Sequence, residues 1–230
     1  MQPFENKMSA MINVPSRSVV ERLVREALIK RVGVPKSAGL SNPLIVNVSA
    51  RHCHLTEDAV EVLFGLGHRL TLEKRLYQKG QFAAKEIVTL IGPRSRVISN
   101  LRILGPCRPF NQVELAYTDA IALGFDIPLR ISGDIEGTPG AMLMGPAGFL
   151  KMEKGVIRAL RHVHMGTEDA DFYGVKQGED VRLRIGGHCG LTLEKMRVRV
   201  SDDFKLEVHI DTDEGNACNL RPDSFCEILI

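Results

Sequence analysis

Two short segments of the 230-residue chain carry histidines in the same arrangement. Arg51–His54 reads Arg-His-Cys-His, and Arg161–His164 reads Arg-His-Val-His, 110 residues further along. Alternate residues of a β-strand point to the same face, so the two imidazoles of each segment would lie side by side. Such a pair can bind one divalent metal ion, and neutral imidazole suits Zn, Co, Ni or Fe. A lone His-x-His is more often an exposed or hydrogen-bonded pair, but its repetition favours metal binding.

Each histidine pair needs further ligands. His209 ends a predicted late strand and could complete the second site, although a single histidine is more often a core or surface residue. A carboxylate such as Glu114 could complete the first site, but spacing alone does not select it from 28 acidic residues. His68 and His188 lie beside glycines in predicted turns and are interpreted as bystanders.

Candidate anion-binding residues follow the first histidine pair. Four arginines lie between Arg94 and Arg108. A solvated strand face would explain them, except that the Gly-Pro-x-Arg turn ending at Arg108 fixes the direction of that arginine. Guanidinium groups suit phosphate because their planar fork donates two parallel hydrogen bonds. The glycine-rich loop Ser132–Gly140 could add backbone amides, a weaker signal.

The elements that would position these residues also repeat. Ser49–Ala59 aligns with Ala159–Asp169, and each copy reads as a strand, the histidine motif, a hydrophobic residue and a short helix. We therefore predict two related halves, 44–140 and 141–230, whose equivalent edges face a shared cleft.

The predicted fold class is mainly β with short helices, forming two related β-barrel domains packed around a shared cleft. Short helices are predicted at 57–64, 118–123, 167–173 and 212–218. Strands are predicted at 44–50, 86–91, 96–104, 127–132, 147–152, 156–163, 180–185, 192–200, 204–210 and 224–230.

Residues 1–43 are predicted to precede these domains as an amphipathic helix and a linker. Ser18–Glu21 forms a capping box, and apolar residues then recur at helical spacing to residue 32. The Pro- and Gly-containing linker, 34–43, follows. This helix would bury its apolar stripe either on its own domain or on a partner protein.

Composition excludes several function classes. With 30 basic and 28 acidic residues the net charge is +2, so no nucleic-acid partner is expected. No apolar stretch approaches the roughly 20 residues that span a bilayer, and no signal-peptide pattern is evident, so no membrane association is expected. Five scattered cysteines without a C-x-x-C pair fit a reducing cytoplasm.

Taken together, seven ordered motifs resemble the phosphate propanoyltransferase family, the PduL-type phosphotransacylases. The resemblance covers about residues 44–230. It rests on Arg51–Leu55, Gly105–Arg108, Val113–Glu114, Ser132–Asp134, Gly137–Gly140, Arg161–Met165 and His209–Ala217.

The resemblance implies a two-barrel enzyme with two divalent metal ions, most simply Zn, between the barrels. The implied ligands of one metal are His52, His54 and Glu114, and those of the other are His162, His164 and His209. Arg108 would contact phosphate. Coenzyme A would lie along Val48, Ser49 and Ala50, with Arg94, Arg102 and Asn216 near its polar groups.

The implied reaction joins a short-chain acyl-CoA and phosphate to give acyl phosphate and coenzyme A. Propanoyl-CoA and acetyl-CoA are both compatible with the sequence. Direct transfer is favoured, with Cys107 as the one thiol that could form an acyl-enzyme. The resemblance further implies a homo-oligomer inside a bacterial microcompartment, with the N-terminal helix contacting shell or core proteins.

Two other classes of function stay open from the residues. The first is a metal-dependent hydrolase of a thioester or amide, because His-x-His on a strand also begins amidohydrolases. Amidohydrolases, however, need a (β/α)₈ barrel of about 250 residues with eight helices, and this chain has too few helical patterns. A non-catalytic scaffold stabilised by zinc is the second alternative, although structural zinc sites usually have four ligands and are often rich in cysteine.

Overall fold

The computed structural model describes residues 44–230, and all of them fall in one compact unit. The predicted helix at 18–32 and the linker at 34–43 lie outside the described residues. Within the described part the fold is mainly β, as predicted. Its four short helices are α1 (Glu57–Phe64), α2 (Tyr117–Leu123), α3 (Thr167–Tyr173) and α4 (Thr212–Ala217). No helix of the described part is long and apolar enough to span a membrane.

Fifteen strands form two curled sheets that resemble half-barrels. In chain order they are β1 (Ile45–Ser49), β2 (His52–His54), β3 (Leu72–Arg75), β4 (Phe82–Ile91), β5 (Val97–Gly105), β6 (Gln112–Glu114), β7 (Leu129–Arg130), β8 (Ala141–Met144), β9 (Phe149–Met152), β10 (Val156–Ala159), β11 (His162–Met165), β12 (Asp180–Ile185), β13 (Leu191–Val200), β14 (Glu207–Asp211) and β15 (Cys226–Leu229). The six-stranded sheet has the order β1-β14-β11-β13-β12-β15. The nine-stranded sheet has the order β7-β10-β6-β2-β5-β4-β8-β9, with β3 paired to β4.

The sequence repeat reappears in the strand pairing. β2 lies between antiparallel β6 and parallel β5, and β11 lies likewise between antiparallel β14 and parallel β13. The strand that precedes each histidine strand crosses over: β1 pairs parallel with β14, and β10 pairs parallel with β6. The first half therefore contributes β1 to the six-stranded sheet, and the second half contributes β8, β9 and β10 to the nine-stranded sheet.

This exchange explains where the predicted elements differ from the structure. The predicted strand 156–163 is wrong, because the chain leaves the nine-stranded sheet after Ala159 and enters the other sheet at His162. Sheet membership also does not change at residue 140, since β8, β9 and β10 belong to the nine-stranded sheet. The division into domains at residue 140 stays a prediction.

Buried apolar side chains behind the histidine strands anchor them. Cys53 and Val163, the middle residues of the two histidine motifs, are both fully buried. Strand alternation predicts this placement, because the histidines on either side must point the other way. Burying the middle residues leaves little freedom for a register slip, which would turn the histidines into the core.

Candidate metal centre

The first candidate group contains His52, His54 and Glu114. The two histidines share one face of β2, and Glu114 lies directly opposite His52 on antiparallel β6. The Nε2 atom of His52 is 3.5 Å from Oε2 of Glu114, and Nε2 of His54 is 4.0 Å from Oε1. One ligand atom from each residue lies within 4.8 Å of the other two. All three side chains are buried or nearly so, with 3–9% of each residue exposed.

The second group contains His162, His164 and His209 in the equivalent arrangement. His209 lies directly opposite His162 on antiparallel β14, as Glu114 lies opposite His52. The rings of His162 and His209 stack with centroids 4.8 Å apart, and His164 meets His209 edge-on at 4.9 Å. Their ligand atoms also fall within 4.8 Å of one another. Both three-residue groups predicted from the motifs are therefore assembled by the fold.

The ring orientations fit metal binding. His52 directs Nδ1 to the carbonyl of Ala50 at 2.8 Å, and His162 directs Nδ1 to the carbonyl of Leu160 at 2.9 Å. A carbonyl only accepts, so each Nδ1 carries the proton and each Nε2 keeps a free lone pair. Backbone carbonyls that fix the tautomer in this way are common behind metal-binding histidines.

Burial and neighbouring charges lower the pKa values of His54, His162 and His164 and keep these three imidazoles neutral near pH 7. Burial, followed by the charges of His52 and Arg108, lowers the pKa of His54 to about 3. Burial, followed by its histidine neighbours, lowers the pKa of His164 to about 2. Burial and the adjacent His209 likewise lower the pKa of His162. Neutral imidazoles with free lone pairs are the form that a metal ion requires.

Glu114 is held as a carboxylate by a buried polar network. Its Oε1 accepts hydrogen bonds from Nε2 of Gln112 at 2.7 Å and from the hydroxyl of Ser132 at 2.9 Å. Burial alone would raise the pKa of Glu114, but His52, His54 and Ser132 outweigh burial and lower it. The network occupies Oε1 and leaves Oε2 directed towards His52.

The predicted phosphate-binding arginine belongs to the same network. Arg108 follows the cis peptide Gly105–Pro106 and donates from Nη1 to Ser132 at 3.1 Å. Its positive charge also lowers the pKa values of His54 and His164, so Arg108 lies close to both histidine groups. Burial lowers the pKa of Arg108 itself. A half-buried guanidinium near both groups can bind an anion between them.

A small cavity joins the two groups. Glu114 of the first group and His162 and His209 of the second line it, together with Ser49 and Asp211. His162 also has an electrostatic influence that lowers the pKa of Glu114. The two groups, although built on different sheets, therefore meet at one cavity.

The residues predicted to contact coenzyme A do not all come together. Ser49 lines the cavity. Val48 packs closely on Gly215 of α4, because a Cβ added at Gly215 would lie 2.7 Å from the side chain of Val48. Asn216 is the next residue of α4, so it lies beside the end of β1. Ala50 is exposed, and its carbonyl oxygen accepts a hydrogen bond from Nδ1 of His52.

Arg94 and Arg102 lie apart from this segment. The side chain of Arg94 covers Gly124 at the end of α2. A Cβ added at Gly124 would lie 2.5 Å from the side-chain carbons of Arg94. Arg102 lies opposite His52 on β5, where it donates to the carbonyl of Ala84 at 2.7 Å and pairs with Glu73. Both therefore remain predictions as coenzyme A contacts.

Several residues of the site were missed from the sequence. Gln112 is fully buried and lies two residues before Glu114, so strand alternation could have revealed it. Arg199 lies opposite His164 on β13, and its charge lowers the pKa values of His162 and Arg108. Nothing in the spacing of Arg199 sets it apart from other strand arginines.

Comparison with known proteins identifies the family of the chain. The family model described as phosphate propanoyltransferase matches residues 45–221. The chain belongs to the phosphate propanoyltransferase family. The resemblance predicted from the motifs, and with it the prediction of a transferase enzyme, is confirmed.

Individual phosphate propanoyltransferases are similar over most of their length. The protein from Planctopirus limnophila is 54% identical over 93% of this chain and 91% of its own length. The protein from Thermotoga maritima is 51% identical over 81% of this chain and 89% of its own. The one from Listeria monocytogenes is 42% identical over 89% of this chain and 90% of its own.

Proposed function

We propose that the chain is a phosphotransacylase that interconverts a short-chain acyl-CoA and phosphate with acyl phosphate and coenzyme A. The carrying observation is that two three-ligand groups, built from the two repeats, meet at one cavity. Arg108 is linked to this cavity through the Ser132 hydroxyl, which also donates to Glu114. The names of the relatives support propanoyl-CoA as substrate. Acetyl-CoA, one carbon shorter, is the second acyl donor that we include in the proposal.

The donor set fits two divalent metal ions. The first group offers two imidazoles and a carboxylate, and the second offers three imidazoles, a chemistry that suits zinc. The buried Nδ1 of His164 has no hydrogen-bond partner, as expected beside such a site. Three protein ligands leave an open position, so a bound metal would supply Lewis acidity at the thioester carbonyl and lower the pKa of the thiol.

Arg108 would hold the attacking phosphate. Its guanidinium is fixed by Ser132 and lies near both histidine groups, and Arg199 adds a second half-buried positive charge. Phosphate oxygen then forms the bond to the acyl carbon, the carbon–sulfur bond breaks, and coenzyme A leaves as thiolate. Holding both reactants in one cavity supplies the rate advantage of orientation.

Direct transfer fits the thiols of the described part better than an acyl-enzyme does. Burial, followed by the charge of Glu57, raises the pKa of Cys107. Cys53 is fully buried in the core, and burial raises its pKa as well. A thiol is nucleophilic as its thiolate, so neither cysteine is activated.

Coenzyme A would lie along the end of β1, where Val48, Ser49 and Ala50 form one wall with Asn216 beside them. Arg94 and Arg102 would reach its phosphates from the nine-stranded sheet. The cavity, in this proposal, is the shared cleft between two related barrel domains, 44–140 and 141–230.

The assay that tests this function measures thiol release from propanoyl-CoA and acetyl-CoA with and without phosphate. We expect release to require phosphate and to yield acyl phosphate in equal amount. Release that is indifferent to phosphate would overturn the proposal and favour a hydrolase. Absence of turnover in a chain that binds metal would favour a scaffold.

The proposal also assigns a targeting role to residues 1–43. The amphipathic pattern of residues 18–32 supports a targeting segment that binds shell or core proteins of a bacterial microcompartment. A homo-oligomer is proposed for the enclosed enzyme. Fusion of residues 1–43 to a fluorescent protein should carry it into microcompartments, and even distribution in the cell would contradict this role.

A further inference from the structure

A buried carboxylate lies beside the second histidine group without belonging to it. Glu207 is only 3% exposed and lies two residues before His209, on the same side of β14. Its Oε2 is 3.1 Å from Nε2 of His209. The ring N–H is not aligned for a hydrogen bond, so the carboxylate acts on the ring through its charge. Glu207 is not part of the mutually close ligand set.

Gln78 fixes that carboxylate from the other sheet. Gln78 is buried in the connection between β3 and β4, and its Nε2 donates to Oε2 of Glu207 at 2.8 Å and to the carbonyl of Lys205 at 2.9 Å. Its Oε1 accepts from the N–H of Lys205 at 3.1 Å. The two contacts with the backbone of Lys205 determine the amide orientation, so the NH₂ end must face the carboxylate.

The opposite edge of the His209 ring faces the cavity. Its Nδ1 is 3.2 Å from the hydroxyl of Ser49, which lines the cavity with His209. A serine hydroxyl can donate or accept and therefore does not fix the tautomer. This contact differs from His52 and His162, whose Nδ1 atoms are tied to carbonyls.

We propose that Glu207, held by Gln78, is a positioning residue that keeps the proton of His209 on Nε2 and presents Nδ1 to the metal. A carboxylate attracts the N–H end of a neutral imidazole, and Ser49 then donates to Nδ1 until a metal replaces that contact. The second group thus combines Nε2 of His162 with Nδ1 of His209. The inference rests on the proposed metal-dependent function and deepens it.

Nuclear magnetic resonance of the full-length, zinc-loaded chain tests this assignment. Ring ¹⁵N and ¹³Cδ2 shifts distinguish the two nitrogens, and a His209→Gln variant identifies the signal. We expect a proton on Nε2 and zinc on Nδ1 for His209, with the reverse for His52 and His162. A proton on Nδ1 of His209 would overturn the proposal.

A variant pair measures what the positioning contributes. Glu207→Gln should weaken zinc binding about tenfold or more in competition with a chromophoric chelator, because groups that orient a metal-binding histidine contribute on that scale. Glu86→Gln is the matched control, since Glu86 contacts Nε2 of His68 at 3.0 Å outside the metal groups. Unchanged zinc affinity and tautomer in Glu207→Gln would contradict the proposal. Gln78→Leu should show a smaller loss in the same direction.

The two proposals fail in different ways. A chain that binds no zinc would contradict the proposed function, while the same spectrum would still show whether the proton of His209 lies on Nε2. A chain with full phosphate-dependent transfer and the proton of His209 on Nδ1 would contradict only the role of Glu207.

Discussion

At the scale of single residues, the site depends on where each imidazole carries its proton. His52 and His162 place that proton against a carbonyl two residues earlier in the chain, which leaves Nε2 free. The same backbone contact occurs in both repeats because the chain turns in the same way from β1 to β2 and from β10 to β11. Local sequence therefore prepares both metal groups.

Arg108 is predicted to bind the phosphate substrate, so its removal should impair the use of phosphate. Arg108→Ala should lower kcat/KM for phosphate about 10²–10³-fold, since a placed donor to developing negative charge contributes on that scale. Zinc content should stay unchanged because Arg108 is not in either ligand group. Steady-state kinetics at fixed propanoyl-CoA measure the effect.

Arg184→Ala is the matched control, because that side chain is 60% exposed and pairs with Glu227 on the surface. It should leave phosphate kinetics unchanged. Equal effects of the two substitutions would contradict a specific role for Arg108.

The histidine pairs could be predicted from residue types, but their third ligands could not be derived in the same way. Strand alternation places His52 with His54 and His162 with His164. Glu114 and His209 complete the groups only because each lies opposite the first histidine in an antiparallel ladder. That register depends on strand pairing between distant segments, so only the family resemblance indicated Glu114.

At the scale of elements, the short helices were easier to predict than the strands. The predicted helices at 57–64 and 167–173 match α1 and α3, because turn and capping residues mark their ends. Thr56 caps α1 by accepting from the N–H of Ala59 at 3.1 Å. The predicted strand 156–163 failed because an unbroken stretch without glycine or proline does not reveal a change of sheet at residues 160–161.

Glu86 on β4 should make the free energy of unfolding depend on pH. It accepts from the backbone and hydroxyl of Thr71 at 2.9 and 2.7 Å and contacts His68. Burial would raise the pKa of Glu86, but these hydrogen bonds lower it below its ordinary value of 4.5. Ionised Glu86 therefore stabilises the fold above about pH 4.5, and this stabilisation is lost as the pH falls through the folded pKa.

Glu86→Gln should accordingly lower the free energy of unfolding by about 1–2 kcal/mol at pH 7, the scale of hydrogen bonds to a charged group. The difference from the unsubstituted chain should shrink as the pH falls below about 4.5. Urea unfolding of both proteins across this range measures it. A difference that grows on acidification would contradict the assignment.

At the scale of the whole molecule, β1 pairs with β14 and β10 pairs with β6, and the two histidine groups meet at one cavity. β10 carries Arg158 into the nine-stranded sheet, where its Nε donates to Asp211 at 2.6 Å and Nη2 donates to Glu214 at 3.1 Å. Both carboxylates follow His209 in the six-stranded sheet and α4, and they cap that helix reciprocally. The buried cluster therefore ties the β10 strand, which pairs with β6, to the end of β14.

Arg158→Met should cost about 3–5 kcal/mol of unfolding free energy, because it removes the cation from buried Asp211 and leaves Glu214 paired with Arg161 alone. Lys79→Ala is a matched control: its pair with Asp203 also joins loops of the two halves, but both side chains are at least 75% exposed. That change should cost less than about 1 kcal/mol. Urea denaturation measures both, and equal losses would show that the buried cluster does not join the sheets.

In the proposed function, both repeats supply one metal-binding group each to a single site. The most direct measurement is the number of zinc equivalents retained per full-length chain after gel filtration, determined by elemental analysis. We expect two equivalents in the unsubstituted chain and one in His162→Ala, whose first group is intact. Fewer than two equivalents in the unsubstituted chain, or no difference between the two proteins, would contradict the account.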